Sequence, residues 1–343
     1  MKFKEDVMDN LKPLSIAIAG FGWWGQHIAK RLKENPRFSV TAIVEPDDNR
    51  AADIDAAGLN RLTSIDDAIK DASNEAIILT TPNTLHEQQV IQIAEAGIHV
   101  FCEKPLGITG ASARRSVSAC KKAGVVLGIG HERRFEPAMK RVRDMVNDGS
   151  LGTVMHAEAA FSHDKLINVP AGDWRTRKET APAAGMTGMG IHLTDYYIAL
   201  FGPVETVQAL TANRVLDWET GDVVTVQLKF KAGMTATLSA ILYTPHFIRM
   251  HVFGSDAWVE VRNDTHPDTP GGVAELVLSQ TGQPHEIERY DWSDTVVENL
   301  EAFADAIANT APYPYTHEEL VHNIEVLEAI TQSAQSGETI HLG

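Results

Sequence analysis

Short apolar runs alternate with helix-period segments over the first 130 residues. LSIAIAG (14–20), FSVTAIVE (38–45), EAIILTTPN (75–83), IHVFC (98–102) and VVLGIG (125–130) each read as a buried strand. HIAKRLKEN, residues 64–71, the stretch from His86 through Ala96 and residues 109–123 read as helices, the third closed by Gly97. Apolar strands separated by helices predict a mostly parallel sheet covered on both faces. The pattern then changes. A helix from Phe135 carries Met139, Val142, Met145 and Val146 on one side. Strands follow at 153–162 and 204–213. VVTVQLKF (223–230) alternates apolar and polar positions and turns back at Lys231-Ala232-Gly233 into MTATLSAILY (234–243). FIRMHVFG and AWVEVR form a second hairpin about Gly254-Ser255-Asp256. Such alternation predicts a mostly antiparallel sheet with one buried face and one more polar face, the latter free to meet solvent or another subunit. Helices at 293–309 and 318–336 close the chain.

The first turn sharpens this picture. After LSIAIA comes G-F-G-W-W-G, with glycines at 20, 22 and 25, then a helix and a second strand ending at Glu45. That order is the context a dinucleotide fingerprint requires. Gly20 permits a tight turn, Gly22 lets a pyrophosphate approach and Gly25 lets helix pack on sheet. The candidate cofactor contacts here are Gly20, Phe21, Gly22, Trp23, Trp24, Gly25 and Glu45. A carboxylate at Glu45 suits the ribose hydroxyls of NAD and repels the 2′-phosphate of NADP. Arg50 nearby argues the other way. Ligands of such sheets bind beyond the carboxyl ends of strands, where Thr81-Pro82-Asn83 and Glu103-Lys104-Pro105 fall. His86 has two open readings: contact with cofactor or substrate, or bonding to backbone. The fold class expected is an α/β Rossmann domain over 1–131, followed by an α+β domain with a large, mostly antiparallel sheet over 132–343.

Bulk properties narrow the class. A chain of 343 residues exceeds a comfortable single core. A formal net charge of −16 disfavours a nucleic-acid partner. No apolar run is long enough to span a membrane, and the N-terminal residues lack a signal core. Two cysteines, Cys102 and Cys120, suit a reducing cytoplasm and argue against a structural zinc. Histidines 156, 163, 246 and 251 lack tight ligand spacing, so no metal site is expected. Arg133-Arg134 has two readings, an anion-binding cluster or, by default, a solvated charge pair. The segment 173–202 begins polar and glycine-rich, then becomes helical, placing His192 and Asp195 on one face. His192 is a candidate reacting group or a satisfied core histidine. Asp195 is a candidate substrate contact or a partner for His192 or Arg175.

Taken together, AGFGWWG, VEPDDNR, TPNTLHEQQVIQIAEAGIHVFCEKPLG, HERRFEPA and GMGIHLTDY resemble the Gfo/Idh/MocA oxidoreductases, the glucose–fructose oxidoreductase and inositol dehydrogenase family. The resemblance covers nearly the whole chain. It implies hydride transfer between a nicotinamide cofactor, NAD rather than NADP, and a secondary alcohol or ketone of a sugar, polyol or cyclic diol. It places Lys104 and His192 as catalytic groups and Lys104, Asp195 and Arg175 at the substrate, and implies a cis bond before Pro105. Thr81, Pro82, Asn83, His86, Glu103 and Lys104 join the cofactor contacts. It also implies a homodimer or homotetramer formed through the second sheet. Two departures stand out. Position 188 is glycine where many members carry an aspartate four residues before the histidine, and Ala183-Ala184-Gly185-Met186 replaces a common triple glycine. The resemblance also leaves open a redox-neutral lyase, glycosidase or epimerase using bound NAD for transient oxidation, and Gly188 leaves open a non-catalytic NAD-binding regulator.

Overall fold

A computed structural model of the chain describes residues 12–170 and 172–343. The chain divides into two compact units. Of the described residues, the first comprises 12–106, 114–130 and 296–315, and the second 107–113, 131–170, 172–295 and 316–343.

In the first unit, β1 (Leu14–Ala19), β2 (Phe38–Val44), β3 (Arg61–Leu62), β4 (Ala76–Leu79), β5 (His99–Cys102) and β6 (Leu127–Ile129) form a sheet in the order β3-β2-β1-β4-β5-β6. Every pairing recorded in it is parallel. The order reverses direction between β1 and β4, which creates the crevice where such sheets bind ligands. Helices α1 (Trp23–Lys33), α2 (Ala51–Ala56), α3 (Ile65–Lys70), α4 (His86–Glu95) and α5 (Gly110–Ala123) connect the strands. The strands read as unbroken apolar runs because both faces are covered: Ile16, Ile18, Ile43, Ile77 and Ile78 are almost wholly enclosed. Part of one cover comes from far downstream. Leu300, Phe303 and Ala304 join the core of Ile16, Ile28, Phe38 and Phe101, and the Phe101 and Phe303 rings meet edge to face with centroids 5.5 Å apart. Val296–Tyr315 therefore groups with the first sheet although it lies beyond the boundary read at 131.

The second unit is built on β7 (Val154–Ser162), β8 (Val204–Ala212), β9 (Val223–Phe230), β10 (Thr235–Ile241), β11 (Phe247–Gly254), β12 (Ala257–Asn263), β13 (Val273–Gln280), β14 (Glu286–Asp291) and β15 (Ile340–His341), in the order β14-β13-β12-β11-β7-β10-β9-β8-β15. The hairpins β9/β10 and β11/β12 pair antiparallel as expected, while β7 lies parallel to β10. In β9 the alternation is realised: Val224, Val226, Leu228 and Phe230 are buried, and Thr225, Gln227 and Lys229 are exposed. Burying one such side chain contributes about 1.5–3 kcal/mol. Helices α6 (Pro137–Asp148), α7 (Gly190–Phe201) and α9 (His317–Ser336) belong to this unit, whereas α8 (Thr295–Ile307) falls almost wholly in the first. Pro137 at the start of α6 needs no amide hydrogen there. Thr316 and Glu319 form a reciprocal capping box at the start of α9. Strands β3, β13, β14 and β15 and helix α2 were not anticipated.

Candidate active site

In the first unit the expected cofactor residues gather at the carboxyl ends of β1, β2, β4 and β5. Gly20 has φ +92°, a conformation side chains disfavour, and a Cβ there would meet the Thr80 carbonyl oxygen at 2.9 Å. A Cβ on Gly25 would collide with the Gly20 carbonyl oxygen. A Cβ on Gly22 would meet nothing within 4 Å, so this glycine faces open space at the start of α1. No side chain caps that helix, leaving its leading N–H groups directed at the same space. Thr80 Oγ1 donates to the carbonyls of Ala19 and Gly20, at 3.0 and 2.9 Å, and so ties β4 to the turn. Glu45 Oε2 accepts from the Phe21 N–H at 2.8 Å and Oε1 from the Asp47 N–H at 3.1 Å. The carboxylate thus shapes the glycine turn from the end of β2. Phe21 and Gly25 are buried, and Trp23 is 63% exposed beside the open space. The open face at Gly22, the uncapped helix start and a partly exposed carboxylate at β2 fit a dinucleotide.

The Glu103-Lys104-Pro105 segment follows β5, and the Lys104–Pro105 bond is cis. Glu103 is buried against Gly130, where any Cβ would strike its carboxylate, and Oε2 accepts from the Lys104 N–H at 3.3 Å. Lys104 is half-buried. Asn83 is buried, and Thr81 and Pro82 are half-buried. His86 departs from its expected place among the cofactor contacts. It is fully enclosed, with Nδ1 2.7 Å from the Pro105 carbonyl oxygen and Nε2 2.9 Å from that of Thr81. It joins the two loops through backbone, so the second of its two readings holds. Burial lowers its pKa, against the two carbonyls, which favour the doubly protonated ring. The cysteines are buried thiols. Burial raises Cys102 well above its ordinary value and Cys120 to about 12, so neither supplies a nucleophilic thiolate at neutral pH.

The second unit holds the other candidates on and around α7. That helix is apolar nearly all round and lies buried. Before it, Ala183 and Ala184 take φ of +58° and +50° where glycine would be relaxed, storing about 1–2 kcal/mol each. His192 is 5% exposed, its ring at right angles to His131 with centroids 5.2 Å apart and beside Phe161 at 6.0 Å. His192 Nδ1 lies 3.4 Å from His131 Nδ1 and 4.0 Å from Glu132 Oε2. Asp195 is 1% exposed, and its carboxylate is held by Arg134: Nε donates to Oδ2 at 2.8 Å and Nη2 to Oδ1 at 2.7 Å. Arg134 Nη1 donates to Glu319 at 3.0 Å. Asp195 therefore pairs with neither His192 nor Arg175. Arg175 stacks on Trp174 at 4.2 Å and bonds Asp173. Arg133-Arg134 is not a solvated pair, since Arg133 is also buried and bonds Glu136 at 2.7 Å. Sequence reasoning missed His131, Glu132 and Asn323. His131 and Glu132 stand in the quoted HERRFEPA motif, whereas Asn323 carried no signal. Beyond Phe161, the rings of His163 and His266 meet at 5.1 Å, and burial with the neighbouring basic groups lowers His163 to about 3. Among the described residues, no group of three or more His, Cys, Asp or Glu is arranged to hold a metal ion, and no helix is long and apolar enough to cross a membrane.

Comparison with known proteins agrees with this architecture. The GFO/IDH/MocA model described as "Oxidoreductase family, NAD-binding Rossmann fold" matches residues 14–131, and the GFO/IDH/MocA C-terminal domain model matches 139–260. The 2,7-anhydro-N-acetylneuraminate hydratase of Mediterraneibacter gnavus is 26% identical over 69% of this chain, a match spanning 65% of the hydratase, under two thirds of its length. The NADP-dependent D-xylose 1-dehydrogenase of Haloarcula marismortui is 27% identical over 99% of this chain and 95% of that protein. The aldose-aldose oxidoreductase of Caulobacter crescentus shares the fold with a TM-score of 0.84 at 24% identity, covering 96% of this chain and 100% of that one.

Proposed function

Because the chain belongs to the GFO/IDH/MocA oxidoreductase family, we propose that it is a nicotinamide-dependent dehydrogenase or reductase acting on a secondary alcohol or ketone of a sugar, polyol or cyclic diol. The observation that carries this reading is the meeting of the Gly20–Gly25 turn, Glu45, Thr81-Pro82-Asn83 and Lys104 at one end of a sheet whose order reverses there. Bound NAD would supply the hydride acceptor. Gly22 and the start of α1 would receive the pyrophosphate, and Glu45 the adenosine ribose. Glu45 supports NAD over NADP, since a 2′-phosphate would meet its carboxylate. Arg50, in an exposed pair with Asp53 at 3.7 Å, is the group a 2′-phosphate would recruit instead, and the titration below separates the two.

Lys104 and His192 are the proposed reacting groups: one moves the hydroxyl proton and the other steadies the developing alkoxide. Arg175 is proposed to help hold the substrate. Asp195, enclosed with Arg134, would act through the position of α7. A redox-neutral reaction is favoured by one observation, the likeness to a hydratase, and is separated by stoichiometry: a dehydrogenase accumulates NADH. We also propose self-association through the polar face of the second sheet. It is supported by Leu210, Phe247 and Ile287, large apolar side chains left exposed on that otherwise polar face.

The test is a titration with NADH and NADPH, following nicotinamide fluorescence, then a screen of sugars and polyols with NAD. Tight NADH and weak NADPH binding are expected. Lys104→Met should abolish turnover while keeping NADH affinity; near-normal turnover in that variant would remove Lys104 from the mechanism.

A further inference from the structure

We propose that His131, oriented by Asn323, holds His192 as the neutral tautomer protonated on Nε2, so that His192 donates a hydrogen bond to the substrate oxygen and is not its proton acceptor. The inference rests on the dehydrogenase reading for its substrate and on the second unit alone for its geometry.

Asn323 lies on α9 and is 1% exposed. Its Nδ2 lies 3.3 Å from the Ile191 carbonyl oxygen, and its Oδ1 accepts from the Thr194 hydroxyl at 2.6 Å. A backbone carbonyl only accepts, so the group beside it must be the amide N–H. Turning the amide over would set two acceptors against each other. The same Nδ2 lies 3.1 Å from His131 Nε2. Facing a donor, His131 Nε2 must be the unprotonated nitrogen. Neutral His131 then carries its proton on Nδ1, and that nitrogen points at His192 Nδ1 at 3.4 Å. This is at the long end of hydrogen-bonding distance. A donor there requires a lone pair on His192 Nδ1, and the His192 proton resides on Nε2. Protonating His131 instead would oppose two N–H donors at Asn323, inside a site where His131 is 2% exposed.

The consequence is chemical. A ring already protonated on Nε2 cannot take a proton there. It can give a hydrogen bond to a carbonyl oxygen or to a developing alkoxide without itself ionising. Moving the hydroxyl proton then falls to another group, for which Lys104 is the candidate. Glu132 is the competing influence. A carboxylate accepts, and with Oε2 4.0 Å from His192 Nδ1 it would favour the opposite tautomer if His131 were removed. His131 is thus a positioning residue acting through His192.

The decisive experiment reads the tautomer directly. Full-length protein labelled with ¹⁵N-histidine, with and without NADH, is studied by long-range ¹H–¹⁵N correlation NMR, and His192 is identified by its loss in His192→Gln. The neutral His192 ring is expected to show a protonated Nε2 and an unprotonated Nδ1. A proton on Nδ1 would overturn the proposal. In His131→Phe the His192 proton should move to Nδ1, toward Glu132; an unchanged tautomer in that variant would also overturn it. Should His131→Phe not fold, the wild-type spectrum decides alone. Once a substrate is found, the acid limb of the kcat/KM profile for oxidation should keep its midpoint in His192→Gln, and disappearance of that limb would assign the proton acceptor to His192. Absence of any turnover would defeat the dehydrogenase reading and leave the tautomer result to stand by itself.

Discussion

Replacing Arg134 by methionine separates a buried ion pair from a solvated one. The arginine side chain is 10% exposed and that of Asp195 is 2% exposed, and two charge-assisted hydrogen bonds of 2.7–2.8 Å join them. Bonds to charged groups contribute about 1.5–3 kcal/mol each. Leaving one member of a buried pair unpaired costs about 3–5 kcal/mol. Glu319, 26% exposed, can turn to water when its bond is lost and adds little. Arg134→Met should therefore destabilise the second unit by about 3–5 kcal/mol, or roughly 6–20 °C in Tm for a domain of this size. Urea unfolding followed by tryptophan fluorescence suits the assay, because Trp174, Trp218, Trp258 and Trp292 all lie in that unit. The double variant Arg134→Met/Asp195→Leu removes both charges and should recover most of the loss. A change below about 1 kcal/mol in the single variant would refute the buried-pair reasoning, since that is the value of an exposed pair.

Four further outcomes follow from the geometry. Glu45→Ala should weaken NADH binding by tenfold or more and narrow the gap to NADPH, checked by fluorescence titration. Gly130→Ala forces the Glu103 carboxylate to move and should lose about 1–3 kcal/mol in thermal unfolding, with a raised KM. Gly188→Asp should fold with stability within about 0.5 kcal/mol of the parent, since a Cβ there meets only Leu166 at an ordinary 3.5 Å; polyol oxidation measured with NAD should rise. His163 titrates at about 3 when folded and near 6.5 when unfolded, so the unfolded chain binds the proton first. Stability should be full above pH 6.5 and fall by up to about 1.4 kcal/mol per unit toward pH 3. His163→Gln should flatten that part of the urea-midpoint profile, although His266, Lys165, His246 and Asp268 face the same ring.

What the sequence disclosed depended on the range over which each signal acts. The β9/β10 hairpin was legible because its alternation and its turn are contiguous. The nucleotide turn was legible because its glycines do a local steric task. Strand β14 has no buried residue, so its alternation is faint, and β15 pairs only two residues. No period announces them. The pairing of Arg134 with Asp195 joins residues 61 apart, and Asn323 meets His131 across 192. Adjacent arginines look alike in sequence whether water or a carboxylate surrounds them. His86 was ambiguous for the same reason: only the fold brings the Thr81 and Pro105 carbonyls to its two nitrogens.

The late arrival of α8 in the first core has a consequence for biosynthesis. The six parallel strands have all been translated by residue 129, yet Leu300 and Phe303 complete their cover much later. At about 5–20 residues per second, the ribosome would leave Phe38 and Phe101 without those partners for roughly 10–40 s. During that interval the nascent sheet is a natural client for a chaperone. A fragment ending near residue 131 should therefore aggregate when expressed alone, and supplying the missing helix as a separate peptide should rescue it.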